Sequence, residues 1–98
     1  MHRLLCQAIQ ARRLVQFTYK GTTRVVEPHM VAQNEADHYA LSAWWISGHS
    51  DSGDPHRWRE YLLSEMSGVA ILEQAFSGPR PGYKPSGGQK FHRVVCRL

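Results

Sequence analysis

Cysteine is nearly absent: two residues in 98, Cys6 and Cys96, near opposite ends of the chain. That excludes a disulfide-rich scaffold and any Cys-x-x-Cys zinc or redox pair. No apolar run approaches the roughly 18 residues that a membrane span requires. The opening MHRLLCQAIQARR lacks the long apolar core of a secretory signal peptide. A cytoplasmic chain without a membrane role is therefore expected, and in that compartment the cysteines are expected as buried thiols rather than a disulfide. No nucleophile elbow, phosphate-cradling P-loop or dinucleotide fingerprint occurs, and Ser42 and Ser64 have no evident base partner. Enzymatic activity is not expected. The six histidines are scattered without closely paired ligands, so neither a metal nor a cofactor is expected. His49, Asp51, Asp54 and His56 crowd one loop and read as solvated.

Acid is missing from both ends. Residues 1–26 carry a charge of +5 with no Asp or Glu, and residues 77–98 again carry +5 with none. Residues 27–76 hold all eight acids against Arg57 and Arg59, a charge of −6. The net +4 suggests an anionic partner, although the basic residues belong to the ends and the middle is acidic.

What is present is a globular composition, 42% hydrophobic, in a length that fits one domain with a small core. The most apolar and aromatic stretch is residues 37–46, DHYALSAWWI. Tyr39, Leu41, Ala43 and Trp45 fall on one side of a period-2 pattern, and His38, Ala40, Ser42, Trp44 and Ile46 on the other. Both sides are largely apolar, which predicts a central strand with neighbours on each flank.

The remaining elements arrange themselves around it. Leu5, Ala8, Ile9 and Arg12 follow helical spacing and predict a short amphipathic helix over residues 1–13, which must pack on something to be stable. Residues 14–19 alternate, Lys20-Gly21 marks a turn, and residues 23–27 form a second strand, so a hairpin is expected. Pro28 cannot donate to a ladder and is expected either to end that strand or to bend it, with residues 29–32 continuing past the kink. Residues 47–56 are a loop by composition, and 57–63 the returning strand. Residues 64–68 are a turn with Met66 tucked inward, and residues 69–76 begin as a strand. Three prolines and four glycines between residues 77 and 89 predict an irregular extension. Residues 91–98 alternate again and should form a final strand on the sheet edge. The expected domain spans 1–98, with its core over 1–76 and the extension and final strand over 77–98.

In order and spacing, RRLVQFTYKGTTRVVEPHMV, YALSAW and WREYLLSEMSGV together resemble the WYL domain of bacteria over residues 3–76. Phe17-x-Tyr19, Arg24-x-x-x-Pro28 and Leu41-x-Ala43-Trp44 carry the likeness. The family's Trp-Tyr-Leu run reads Tyr39-Ala40-Leu41 here. The resemblance implies a mainly β (α+β) fold: a small, strongly bent antiparallel β-barrel of Sm-like type with an N-terminal helix, to which this chain adds a C-terminal strand. It also implies a regulatory domain, in transcription or defence, that senses a nucleotide or single-stranded nucleic acid through basic and aromatic residues. WYL domains are usually attached to a winged helix-turn-helix. These 98 residues have no room for one, which leaves open whether the chain stands alone or is a piece of a longer regulator.

One family segment, Phe-Arg-Leu-Asp-Arg-Ile, aligns with residues 61–66 and puts Leu62 and Glu65 where the family has arginines. Neither can bind phosphate with a planar fork of donors. A shifted alignment would keep one arginine at Arg59, but the spacing to Val69 favours the first. Arg24 still matches the family. Arg57 and Arg59 lie two apart and so share a face. With Trp58 between them and Trp44 and Trp45 on the neighbouring strand they suggest a cation-plus-aromatic surface on which bases could stack. The expected ligand residues are thus Arg24, Trp44, Arg57, Trp58 and Arg59. Tyr83 amid Arg80, Lys84, Lys90 and Arg93 offers a second, flexible clamp for nucleic acid, or else the tail simply adds a strand to the sheet. The other functional reading is a protein-interaction or oligomerisation module, homodimeric or bound to a protein partner, that has lost the family's anion site.

Overall fold

Leu5, Ala8 and Ile9 share one helical face, and in the computed structural model all three are fully buried on helix α1, His2–Ala11. The structure describes residues 1–48 and 53–98. The helix stops two residues earlier than its apolar spacing predicts because Arg12 takes a left-handed conformation, φ 54° and ψ 49°. Its backbone N–H then closes onto the Ile9 carbonyl at 3.1 Å, satisfying a carbonyl of the last turn. The Arg12 carbonyl accepts from Phe76 N–H at 2.9 Å, and its guanidinium donates to the Ser77 carbonyl at 2.9 Å.

Six strands follow: β1 Arg13–Tyr19, β2 Thr22–Asn34, β3 Tyr39–Ser47, β4 Arg57–Leu62, β5 Met66–Ala75 and β6 Phe91–Arg97, with one 3-10 turn at Leu63–Glu65. They form an antiparallel sheet in the order β4-β3-β2-β1-β5, with β6 beside β2. The chain is mainly β with an N-terminal helix, and β3 is flanked on both sides as its two apolar faces predict. The hairpin between β1 and β2 turns on Lys20 and Gly21, both at positive φ (50° and 78°), the geometry that matches the twist of a two-residue connection. Met66 is buried, as expected. Of the loop expected over 47–56, residues 49–52, with His49 and Asp51, lie outside the described residues.

Pro28 bends its strand without ending it, one of the two outcomes expected, and the strand continues past it. β2 runs 13 residues, and the register shifts between Pro28, opposite Ala43, and Met30, opposite Ser42. The extra residue, His29, absorbs the missing donor as a bulge. The long strand then serves two partners in succession: residues 22–26 pair with β1, and residues 30–34 with β6. The final strand therefore pairs with central β2 beyond the reach of β1, not with an end strand of the sheet. Nor is the sheet closed: among the described residues, β4 and β5 are its unjoined ends. A side chain spans part of that gap, for the Tyr19 hydroxyl on β1 accepts from Leu62 N–H at the end of β4, at 3.2 Å.

The pair of thiols needs correction as well. Cys6 on α1 and Cys96 on β6 form a disulfide, with Cα atoms 5.8 Å apart. Spacing in the sequence carried no sign of this, because β6 must first lie along β2 before Cys96 reaches the helix.

The bent sheet has two apolar sides of unequal size. On the larger, α1 packs against Val15, Phe17, Val26, Leu41, Trp45 and Tyr61. On the other, Met30, Ala32 and Ala40 pack with Phe91. No helix among the described residues is long and apolar enough to cross a membrane.

Candidate functional site

Strand alternation divides the five expected ligand residues. Across β3 and β4, Ala43 faces Arg59, Trp44 faces Trp58 and Trp45 faces Arg57. Arg57 and Arg59 thus lie on the side of buried Ala43 and Trp45, the main core side, while Trp44 and Trp58 project from the opposite face. Arg24 pairs in register with Phe17 and belongs to the core side as well. The structure therefore gathers Arg24 and Arg59, with Arg57 on the same face, and separates them from Trp44 and Trp58.

Around Arg24 the core has a cationic mouth. The residue is 4% exposed. Its Nε donates to Thr22 Oγ1 at 2.9 Å and its Nη2 to the Tyr19 carbonyl at a long 3.5 Å. Its guanidinium carbon stands 5.7 Å from the Tyr19 ring centroid and 6.0 Å from that of Trp45, and the Arg59 guanidinium lies 5.4 Å over the same indole. Ring faces attract cations, and desolvation strengthens that attraction to about 2 kcal/mol. Among the described residues no carboxylate pairs with Arg24. Its Nη1 is buried without a hydrogen-bond partner, and so is the hydroxyl of Tyr61. An orphaned buried donor costs about 1–3 kcal/mol, more when charged. Burial pushes the Tyr61 phenol above its ordinary pKa, against a contact with the Arg24 guanidinium that falls short of a well-formed hydrogen bond and against the Arg24 and Arg59 charges, so it remains a neutral O–H. Two buried donors and a second cation thus converge on one side of the Trp45 indole.

Tyr19, Trp45 and Tyr61 complete the mouth, and none was among the expected ligand residues. The signal for Trp45 was available: successive residues on a strand face opposite ways, so only one of Trp44 and Trp45 could join Arg57 and Arg59. Tyr61 follows from the same alternation, two residues beyond Arg59. Tyr19 follows as well, since it shares a face with Phe17, which the β1–β2 hairpin sets opposite Arg24.

On the opposite face, Trp44 and Trp58 meet edge to face at 5.6 Å, beneath the Gly/Pro-rich extension. The extension has no regular structure, as expected, yet it is pinned. Arg80 grips buried Glu27 with Nε on Oε1 at 2.7 Å and Nη2 on Oε2 at 2.9 Å, and its guanidinium lies 5.3 Å from the Trp44 ring. The Trp58 indole N–H donates to the Pro81 carbonyl at 2.8 Å. Tyr83 lies 6.2 Å from Trp58 and 5.3 Å from His29, centroid to centroid. Arg80 and Tyr83, two members of the expected clamp, are thus engaged with the chain's own sheet. Between this strap and the face of β2–β4 runs an open cleft of about 530 Å³.

His29 fastens the strap from below. It is fully buried; its Nδ1–H donates to the Glu27 carbonyl at 2.8 Å, and its Nε2 accepts the Arg80 backbone N–H at 3.2 Å. Acceptance at Nε2 requires the neutral ring with its proton on Nδ1. Burial holds its pKa below the usual 6.5, more than the Glu27 contacts raise it. A depressed histidine leaves the unfolded chain binding the extra proton first, so stability falls as pH drops below about 6.5 and stops falling only below the folded pKa. Urea unfolding at pH 7.0, 6.0 and 5.0 is expected to show this decline, and a His29→Gln variant to show a shallower one. Equal slopes in the two proteins would mean that other groups carry the effect.

Among the described residues no three His, Cys, Asp or Glu side chains gather as metal ligands would. No protein-family model matches the chain, and comparison with curated proteins and with solved structures finds no match either.

Proposed function

We propose that the chain is a ligand-sensing regulatory domain of WYL type, which binds a nucleotide or single-stranded nucleic acid through phosphate at the Arg24 mouth. One observation carries this reading: a buried guanidinium with an unfilled Nη1 stands near an unfilled tyrosine hydroxyl and a second cation, Arg59. A phosphate has acceptors enough for all three. Flanking rings at Tyr19 and Trp45 hold the cations by their faces. The element order also supports the kinship: a helix followed by an antiparallel sheet in the order β4-β3-β2-β1-β5, with β6 on β2, which an Sm-like barrel would close between β4 and β5. The role is non-catalytic, in transcriptional regulation or defence, and needs no cofactor.

Titration of a single-stranded oligonucleotide at two salt concentrations, followed by tryptophan fluorescence, tests it. Binding is expected to weaken with salt, with a log–log slope that drops by about 1 when Arg24 or Arg59 is replaced by Ala. Absence of binding at low salt would remove the proposal.

A second reading, an oligomerisation module, draws on the exposed outer strand β5 and on Val95, a large apolar side chain 41% exposed on β6. Light scattering distinguishes it: a concentration-independent monomer rules it out.

A further inference from the structure

Beneath the strap the sheet face is hollow. The cleft of about 530 Å³ crosses four strands, with Met30 of β2, Ser42 of β3, Glu60 of β4 and Phe91 of β6 in its lining. Register explains the grouping. Met30 lies opposite Ser42 and Ser42 opposite Glu60, so the three rise from one face. Trp58 stands two residues before Glu60 and shares that face. Met30 and Phe91 belong to the smaller apolar cluster, against which Tyr83 packs from the strap. The volume falls within the range of small-molecule sites, about 300–1,000 Å³.

Two glycines set the roof. A Cβ at Gly82 would come within 3.1 Å of the Trp58 indole nitrogen, and one at Gly87 within 3.0 Å of Phe91 Cβ. Both residues have positive φ, 90° and 86°. Glycine thus lets the strap run close over the sheet face in a conformation that other residues rarely adopt. Between them the Gly87 N–H closes a turn on the Lys84 carbonyl at 2.9 Å. The grip of Arg80 on Glu27 and the bond from Trp58 to Pro81 already hold the strap in the free protein. A ligand therefore meets walls that it does not have to order.

The lining is aromatic within and cationic at its rim. Trp58, Tyr83 and Phe91 offer rings, and Met30 a thioether that packs well against rings. At the rim Lys84 and Lys90 stand against Glu60, two cations to one acid. Lys90 pairs with Glu60 at 3.7 Å, and Lys84 has no carboxylate partner among the described residues. Arg59 also borders the cleft, but its guanidinium lies over Trp45 and belongs with Arg24. We infer that the cleft binds a small aromatic monocarboxylate, its ring against Trp58, Tyr83 and Met30 and its carboxylate on Lys84. One surplus cation matches one carboxylate, whereas the phosphates of a nucleotide exceed it. The inference does not rest on the nucleotide reading of the Arg24 mouth.

The probe is indole-3-acetate, titrated by calorimetry and by NMR of protein labelled at its methionine methyl groups. Saturable binding is expected, with the Met30 signal shifting and that of Met66, in the main core, unmoved. Indole-3-acetamide, which lacks the charge, and octanoate, which lacks the ring, are each expected to bind about fivefold more weakly or worse. Lys84→Gln, at an exposed position, is expected to weaken binding of the acid about fivefold and to leave that of the amide unchanged. Arg24→Met is expected to leave binding of the acid unchanged, which separates failure here from failure of the nucleotide reading. Absence of saturable binding, a Met30 signal that stays fixed, or the amide or octanoate binding as tightly as the acid would overturn the inference. So would a Lys84→Gln variant that binds the acid like the wild type, or an Arg24→Met variant that loses it.

Discussion

Reduction of the Cys6–Cys96 bond is expected to lower the unfolding free energy by about 4 kcal/mol. The bond joins residues 90 apart and so closes nearly the whole chain into one loop. Cross-linking removes entropy chiefly from the unfolded ensemble, and the loss grows with loop length. For a domain of this size the total stability is only about 5–15 kcal/mol, so the loss is a large share of it. The midpoint of thermal unfolding should fall by roughly 20 °C, since 1 kcal/mol shifts a small domain by about 4–8 °C. Urea unfolding followed by tryptophan fluorescence, with and without reductant, reads the effect. A Cys6→Ser/Cys96→Ser variant should match the reduced wild type and should not respond to reductant. Identical midpoints for oxidised and reduced protein would mean that β6 is held by its pairing with β2 and the strap alone.

Arg24→Met is expected to weaken oligonucleotide binding about tenfold or more while leaving stability unchanged or raising it by about 1 kcal/mol. The two effects follow from one cause. In the free protein the guanidinium is desolvated, has one N–H without an acceptor and has no carboxylate partner among the described residues. Replacing such a cation by an apolar side chain of similar length relieves a burial cost. In the bound protein the same group makes charge-assisted bonds to phosphate, worth about 1.5–3 kcal/mol each. A structural arginine would behave in the opposite way: its loss would destabilise the fold and leave binding in proportion to the folded fraction. Binding curves corrected for folded protein, together with urea midpoints, separate the two cases.

Periodicity carried much of the fold into the sequence, and its limits are physical. The alternation over residues 37–46 marks a strand covered on both faces, and β3 has both neighbours. Helical spacing at Leu5, Ala8 and Ile9 identifies the buried face of α1. Pro28 bends its strand as one of the expected outcomes, but the choice between bending and ending rests on a bulge at His29, and a bulge depends on the partner strand. The composition of residues 77–89 shows irregularity but not packing; the grip of Arg80 on Glu27 spans 53 positions and has no local signature. The disulfide is hidden for the same reason.

The site was legible in its parts and not in their grouping. Arg24 and Arg59 were expected and do meet over Trp45. Trp44 and Trp58 were expected beside them but face the strap, a split the period-2 rule already contained. The orphaned donors of Arg24 and Tyr61 depend on burial, which depends on the curvature of the whole sheet.

The decisive measurement is side-chain ¹⁵N NMR of the arginines during titration with a mononucleotide. The expected result is a saturable shift of the Arg24 guanidinium signals, with those of Arg59 following and those of Arg80, held by Glu27 on the far face, unmoved. Arg24 signals that stay fixed while the nucleotide binds elsewhere, or a nucleotide that does not bind at all, would contradict the assignment of the core mouth as a phosphate receptor.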